Sequence, residues 1–520
     1  MKLIDACESG GARIPHFCYH KALSTPGNCR MCLIEMGMPK MTPDRKPVIG
    51  PDGFPEIAWI PKPTVSCATT ISEGMAVRTD SPLVVETRKG MMEFLLANHP
   101  LDCPICDQAG ECSLQEYAME HGKAASRFDE GKVKKPKHVE LGPRVVYDAE
   151  RCVLCSRCIR FMKEVMKDEV LGFVNRGSYS HVAAAPCKPL DSNYSLNTVD
   201  LCPVGALTAK DFRFQMRTWF LRETKTIDVH CGTGANITVS SREGKIYRVV
   251  PRHNPAVNDY WMPDSHRLAF HQDVHSEKRL LTPTIAGEPA QWIPAIEKAA
   301  KALQASQGRS AMIVSASLVN EELYMARRIA EAFGIELFDI LPRPQSGDGF
   351  LISTDGNANS AGARLLGLAT GRLGTITDLV AAGQIETLLV IAEDVAACGI
   401  APADLEKIKT IISIASLSDA TTARAQVVLP MVSWAEKCGT LINVKNRIQR
   451  LNAVLDPIGD SRRLWSILRD FLQEIFVRAT YEDFSDVFAE MTRTVPAFAE
   501  LTLAKIGDQG IELPNAGNTQ

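Results

Sequence analysis

The sequence has no apolar run of the ~18 residues that a membrane span requires, so no segment is read as crossing a bilayer. It carries little excess charge, a net of −3 at pH 7 over 520 residues, which argues against a large nucleic-acid-binding surface. Its opening residues, MKLIDACESGGARIPHFCYH, lack the basic start and long apolar core of a secretory signal. The expectation is a cytosolic chain, alone or within a larger assembly. It also lacks a G-x-G-x-x-G after a strand, a P-loop, and a Ser/His/Asp or Cys/His nucleophile arrangement with supporting spacing. Neither a nicotinamide or flavin site nor a catalytic residue is therefore expected in this chain. Cysteine is scarce in the second half: of sixteen, fourteen lie at or before residue 231, and only Cys398 and Cys438 follow.

A reducing compartment argues against disulfides as the use for so many thiols, and their spacing points to metal instead. Cys18-x10-Cys29-x2-Cys32 with a remote Cys67 is a variant of the plant-type [2Fe–2S] loop with a longer first gap. Gly27 and Asn28 permit the tight backbone that turns amide N–H groups toward sulfur. His99-x3-Cys103-x2-Cys106-x5-Cys112 gives three thiols and one imidazole within fourteen residues. That set suits structural zinc and equally an iron–sulfur cluster with one unusual ligand. Cys152-x2-Cys155-x2-Cys158, completed by Cys202-Pro203, is the bacterial-ferredoxin way of holding [4Fe–4S]. Cys187 is a rival for the fourth place; the sharp turn expected at Pro203 favours Cys202. Cys7, Cys231, Cys398 and Cys438 are read as small hydrophobes without a metal role. Three saturated clusters in one chain would carry electrons and bind no substrate.

The composition, 45% hydrophobic and 23% charged, is that of a folded multidomain protein. Seven prolines between Cys32 and Cys67 argue for an extended surface loop. Apolar residues from Val84 to Leu96 recur at helical spacing, so a helix over about 82–100 should end near His99. The basic stretch EGKVKKPKHVELGP, 130–143, reads as a solvated linker. GKIYRVVPR suggests a strand. From about 280, the runs SAMIVSASL, TLLVIAED and TIISIAS alternate with helical segments such as NEELYMARRIAEAFG. That alternation predicts an α/β domain with a largely parallel sheet. The final stretch, DQGIELPNAGNTQ, reads as a disordered tail.

The stretches IPHFCYH, GNCRMCLIE, EFLLANHPLDCPICDQAGECSLQEYA, RCVLCSRCIRF and LCPVGALTAKDFRF closely resemble the large iron–sulfur subunits of respiratory complex I. The resemblance is near-continuous from residue 3 to about 270. Further on, VVLPMVSWAEKCGTLINVKNRIQR resembles a worn segment of molybdopterin oxidoreductases. The resemblance implies one [2Fe–2S] cluster on Cys18, Cys29, Cys32 and Cys67. It implies [4Fe–4S] clusters on His99, Cys103, Cys106 and Cys112, and on Cys152, Cys155, Cys158 and Cys202. No molybdopterin is expected. The implied fold is multidomain α+β and α/β. Residues 1–81 form a plant-ferredoxin-like β-grasp without its first hairpin, 82–122 the histidine-bearing [4Fe–4S] module, 123–143 a linker and 144–220 the four-cysteine ferredoxin-like module. Residues 221–279 form a degenerate fourth-cluster domain, 280–475 a molybdopterin-oxidoreductase-like scaffold, and 476–520 a C-terminal helix and tail. Asp228, Cys231, Ala235 and Pro263 occupy the places of the extra cluster that some members carry, so that cluster is expected to be absent.

By the same resemblance the chain relays electrons from a flavin- and NADH-binding subunit toward quinone-side iron–sulfur subunits. It would lie peripherally on the cytoplasmic side of the inner membrane, with ion translocation performed by the whole complex. The alternative is the diaphorase-type iron–sulfur subunit of an NAD-linked hydrogenase or formate dehydrogenase. A zinc-stabilised scaffold without redox chemistry is the bland reading, and an interaction role for the second half is compatible with the leading one.

Overall fold

The computed structural model describes residues 1–397 and 399–513. Two compact units share the chain, Met1–Leu221 and the remainder from Arg222.

The first unit opens with α1 (Leu3–Ser9), followed by β1 (Leu33–Pro39), β2 (Ile57–Trp59), β3 (Thr64–Val65) and β4 (Ala76–Arg78). β1 is the hub of this sheet and pairs antiparallel with β2, β3 and β4. Gly37 must lack a side chain, because a Cβ there would lie 2.4 Å from Cγ2 of Ile57 on the paired strand. Leu3 and Ile4 of α1 pack with Ile14, Ile34, Cys32 and Cys67. The proline-rich stretch is more ordered than an extended loop. The bridges Met41–Pro47 and Ile49–Pro55 build it into a folded-back excursion that returns through β2. A proline lacks the N–H donor, yet its carbonyl still accepts, so short edge pairings survive.

α2 (Pro82–Ala97) starts where the Ser81 side chain accepts from the Val84 N–H at 3.3 Å, with proline at the first helical position. It ends at Asn98, one residue before His99. Its buried face is Val84, Arg88 and Met92, an i, i+4, i+8 stripe. α3 (Ser113–His121), β5 (Val139–Glu140), β6 (Val145–Tyr147) and α4 (Arg157–Arg160) follow. β7 (Leu171–Val174) and β8 (His181–Ala184) form a hairpin; α5 (Asn197–Leu201) then leads to β9 (Leu207–Ala209), which pairs with β6.

The second unit begins with a meander of β10 (Arg222–Ile227), β11 (Asn236–Arg242) and β12 (Lys245–Pro251), and α6 (Asp264–Arg267) comes after it. The α/β region then supplies β13 (Thr284–Ile285), β14 (Glu288–Pro289), α7 (Trp292–Ala305), β15 (Ser310–Val314), α8 (Asn320–Ala332), β16 (Leu337–Ile340), β17 (Thr387–Ile391), β18 (Thr410–Ala415) and β19 (Val427–Pro430). They make a seven-stranded sheet in the order β14-β13-β19-β18-β17-β15-β16. β16, β15, β17, β18 and β19 run parallel and β13 antiparallel, as the alternation of runs predicts. Every residue of β15 and β17 is buried, the signature of a sheet covered on both faces. Met312 and Val314 face one core with Leu303, Leu323 and Phe471. Ala311 and Ile313, one residue out of step, face the other with Ile376 and Val380.

β20 (Gly439–Ile442), β21 (Arg447–Leu451) and β22 (Ile511–Glu512) form a further sheet. The C-terminal region departs from a helix with a free tail. Val487, Phe488 and Met491 of the helix Phe484–Thr494 belong to the sheet core. β22 pairs with Arg447 and Ile448, and Asp508 meets Lys225 at 2.8 Å. Residues 514–520 of the expected tail lie outside the described residues. Among the described residues no helix is long and apolar enough to cross a membrane.

Candidate metal centres

Cys18, Cys29, Cys32 and Cys67 are all buried. Cys29 and Cys32 immediately precede β1, and Cys67 sits in the turn after β3, so the β1–β3 pairing carries the remote cysteine to the close pair. The Ser66 Oγ–H donates to the Cys32 carbonyl at 2.8 Å and locks that approach. Cys18 accepts from the Cys29 and Cys67 thiols and from the backbone N–H groups of Cys29 and Asn28. Cys32 accepts from the Cys67 thiol and N–H. Both are thereby held below the usual thiol range, whereas Cys29 and Cys67, as donors, are pushed up. The amide-rich loop expected from Gly27 and Asn28 is present, with Gly27 at φ +61.

In the second set α2 delivers His99 and α3 begins directly after Cys112. Cys106 and Cys112 are buried and Cys103 is exposed. Cys112 lies within electrostatic reach of Cys106 and Cys103. Burial drives the His99 pKa down to about 4, with Asp102 opposing and Arg151 and Lys132 reinforcing the fall. The imidazole is therefore neutral at pH 7, the form that ligates a metal. Leu101 and Ile105, 85% and 65% exposed, put this set at the surface of the unit.

The third set lines one small pocket with Tyr147, Val182, Pro203 and Leu207. Cys152, Cys155, Cys158 and Cys202 all contribute to its wall. Leu154 and Ser156 adopt left-handed backbone at φ +54 and +62, which curls the chain around the site; such strain collects at functional sites. Burial pushes Cys155 up to about 11 and Cys202 to about 12, and raises Cys152 and Cys158 as well. Four thiols this buried stay protonated unless a metal's charge draws off their protons. Cys187 is exposed and absent from this wall.

The sets are fastened to one another by residues that the cysteine spacing does not disclose. Arg160 donates to the carbonyls of Cys18 (2.5 Å) and Cys155 (3.4 Å), and also to that of Ser24. Arg157 reaches Tyr19 O at 2.5 Å and Leu201 O at 3.3 Å, and Asn28 Nδ2 donates to Leu154 O at 3.1 Å. These contacts join the first set to the third. On the other side, a Cβ at Gly205 would lie 2.3 Å from Cys106 Sγ, the Ser113 N–H donates to Pro203 O at 3.0 Å, and Arg151 meets Asp102 at 2.7 Å. These join the third set to the second. The third set thus touches both of the others, although it is last in sequence; Phe17 beside Cys18 also packs on Tyr117 of α3, with ring centroids 5.3 Å apart. The arginines interleaved with cysteine in RCVLCSRCIR are the available signal.

The basic stretch at 130–143 is not simply solvated. Lys132 Nζ caps α2 by donating to Leu96 O and Ala97 O at 3.0 and 2.8 Å. Lys137 lies 3.4, 3.5 and 3.0 Å from Asp102, Asp148 and Glu150. Carbonyl and carboxylate neighbours, unreadable from local composition, draw the lysines inward.

Of the other cysteines, Cys231 is buried, Cys7 and Cys438 are half-buried, and Cys398 lies outside the described residues. The segment resembling molybdopterin oxidoreductases spends its polar groups internally. Thr440 bonds Glu321 and Asn320, Lys437 meets Glu322 at 2.5 Å, and Gln449 Nε2 donates to Gly234 O at 2.9 Å.

Four family models match the chain. They describe the NADH-ubiquinone oxidoreductase-G iron-sulfur binding region at 88–127, the ferredoxin-like domain of NADH-quinone oxidoreductase subunit 3 at 142–208, the NDSU1/NuoG-like 4Fe-4S domain at 221–271, and molybdopterin oxidoreductase at 343–474. The G subunit of the Rickettsia felis NADH-quinone oxidoreductase is 38% identical over 341 residues, 65% of this chain and 47% of that one. The mitochondrial 78 kDa subunit of the Neurospora crassa NADH-ubiquinone oxidoreductase is 40% identical, over 64% of this chain and 43% of its own length. Subunit 3 of the Thermus thermophilus NADH-quinone oxidoreductase is 38% identical, with 64% and 44% covered. The chain spans less than half the length of these relatives. A solved NAD+-reducing [NiFe]-hydrogenase aligns at 26% identity over 42% of this chain and 84% of that one, with a TM-score of 0.34 that bears on neither fold nor function. With three cysteine-rich sets folded against one another, the chain is similar to the large iron–sulfur subunits of NADH–quinone oxidoreductases over about two thirds of its length.

Proposed function

We propose that the chain is an electron-relay subunit of an NADH–quinone oxidoreductase. In this reading a [2Fe–2S] cluster is held by Cys18, Cys29, Cys32 and Cys67. One [4Fe–4S] cluster is held by His99, Cys103, Cys106 and Cys112, the other by Cys152, Cys155, Cys158 and Cys202. When bound, such clusters accept and release single electrons. The observation that carries the reading is the contact of the third ligand set with both of the others, through Arg160 and Asn28 on one side and Gly205 and Arg151 on the other. A relay needs its stations adjacent and dry; a set of unrelated structural zinc sites needs neither.

The ligand spacing supports clusters over single ions. One tetrahedral zinc draws its ligand atoms to about 3.3–3.8 Å of one another. Among the described residues, none of the three sets brings three ligand atoms within 4.8 Å of one another. A cluster spreads its ligands over several irons. Asp228, Cys231, Ala235 and Pro263 offer one thiol, too few for a fourth cluster. The second unit acts as a scaffold, its motif residues committed to internal bonds. The partners are a flavin- and NADH-binding subunit and quinone-side iron–sulfur subunits, and the position is peripheral on the cytoplasmic side of the membrane.

Iron and acid-labile sulfide on the chain in its assembled complex should come to about ten irons, two plus four plus four. Reductive titration followed by electron paramagnetic resonance should resolve three centres. Zinc in place of iron, with no visible absorption, would sink the reading.

A further inference from the structure

Asp228, Cys231 and His266 lie outside the three sets, yet among the described residues they are the group whose ligand atoms all fall within 4.8 Å of one another. Asp228 directly follows β10, Cys231 sits in the next turn, and His266 projects from α6. Asp228 is 2% exposed and Cys231 0%. His266 Nδ1 lies 2.7 Å from one Asp228 oxygen, and His230 Nδ1 lies 2.5 Å from the other. His230 Nε2 continues to Asp273 at 3.0 Å, and the Trp434 indole N–H donates to the same Asp273 oxygen at 3.0 Å. The Cys231 sulfur faces the backbone N–H groups of Ser353 and Thr233.

We propose that Asp228, Cys231 and His266 bind one divalent transition-metal ion of the zinc class. A carboxylate oxygen, a thiolate and an imidazole make an N/O/S donor set of the kind zinc takes, with a water completing the tetrahedron. Ligand spacings in such a tetrahedron are about 3.3–3.8 Å; the trio lies within 4.8 Å, and the 2.7 Å contact of His266 Nδ1 with Asp228 would open to admit the ion. One carboxylate and one thiolate would balance the charge of a divalent ion.

The surroundings supply what a metal site needs beyond its ligands. The Asp228–His230–Asp273–Trp434 chain fixes the carboxylate and keeps His230 as an orienting neighbour. The Ser353 and Thr233 N–H groups point at the Cys231 sulfur, which as a thiol donates to Leu351 O at 3.7 Å; a bound cation would take that proton's place. Counting ligands for a cluster leaves Cys231 without a metal role. One thiolate is too few for a cluster and enough for a mononuclear site.

The experiment uses the full chain, purified without chelators. Zinc and iron are counted per chain, and the zinc K-edge X-ray absorption is recorded. One zinc per chain is expected, with one sulfur and otherwise nitrogen or oxygen donors. Cys231→Ser and His266→Gln should each lose that zinc and leave the iron count unchanged. The absorption spectrum needs no variant, so misfolding of a substituted chain leaves the test intact. A chain that holds no zinc and takes up none when supplied overturns the proposal; the trio is then only a hydrogen-bonded group. A zinc shell of three or four sulfurs also overturns it, because that metal sits in the cysteine sets. The iron count tests the electron-relay reading separately, and either can fail without the other.

Discussion

Gly205→Ala adds one methyl group where the second and third sets touch. Its Cβ would lie 2.3 Å from Cys106 Sγ and 3.0 Å from Gln108 Cβ. Ordinary contact between such atoms is about 3.5–4.0 Å, so the overlap with sulfur is more than about an ångström. Overpacking of this kind costs typically about 1–3 kcal/mol. The larger effect falls on ligation, because metal–ligand distances tolerate only about 0.2 Å. Moving Cys106 by an ångström removes it from its site. The expected result is loss of the histidine-bearing centre, a drop from about ten irons to about six, with the [2Fe–2S] signal kept. Gly90→Ala is the matched control. Its added Cβ meets nothing within 4 Å, and within α2 alanine should stabilise by about 1 kcal/mol. Iron analysis and electron paramagnetic resonance on the purified complex read both variants. A Gly205→Ala chain with full iron and an unchanged spectrum would refute the close approach of the two sets.

Two other perturbations follow from the buried charges. Arg151→Gln breaks the 2.7 Å pair with Asp102 and should destabilise the first unit by about 1–3 kcal/mol. It also removes a positive charge facing Cys106 and His99, so the midpoint of the centre there should fall by on the order of tens of millivolts; an unchanged or higher midpoint in a redox titration contradicts this. Burial raises the Glu321 pKa to about 7, so the native state binds a proton that the unfolded state releases near 4.5. Stability is then greatest below about pH 4.5 and is lost as pH rises toward 7, by up to about 3 kcal/mol. Glu321→Gln keeps an oxygen for the Thr440 N–H and turns an amide N–H toward the Thr440 Oγ, which can accept it, and it should flatten that slope in denaturation measured across pH 5–8. An undiminished slope would put its source elsewhere.

Periodic and short-range features are the legible ones. The apolar runs of β15, β17 and β18 announce a doubly covered parallel sheet because five consecutive buried residues fit few other structures. Ser81-Pro82 and the apolar spacing place α2 and, with it, His99. Cysteine spacing announces three groups and leaves the choice of metal open. What stays hidden is long-range. Arg160 and Cys18 are 142 positions apart, and nothing local in either says that they meet. The lysines of 132–137 look like a solvated run because their acceptors, the end of α2 and Asp148 and Glu150, lie elsewhere in the chain. β22 reads as tail because a two-residue strand has too few positions to show a period. Asp228, Cys231 and His266 stay hidden because a search for clusters counts thiols, and here an aspartate and a histidine stand beside the one that remains.

The pocket of the third set has a consequence for biogenesis. Its fourth wall cysteine, Cys202, comes 44 positions after Cys158. A metal group joining them closes that span as a cross-link does, and the chain-entropy argument used for disulfides puts such closure at roughly 4 kcal/mol. That is a large share of a domain's usual margin of about 5–15 kcal/mol. A copy that never received its inorganic group would therefore open in the very region that joins the other two sets. Proteases act on what opens. In the electron-relay reading proposed above, a copy lacking that group would be the one exposed to degradation before it could join a larger assembly.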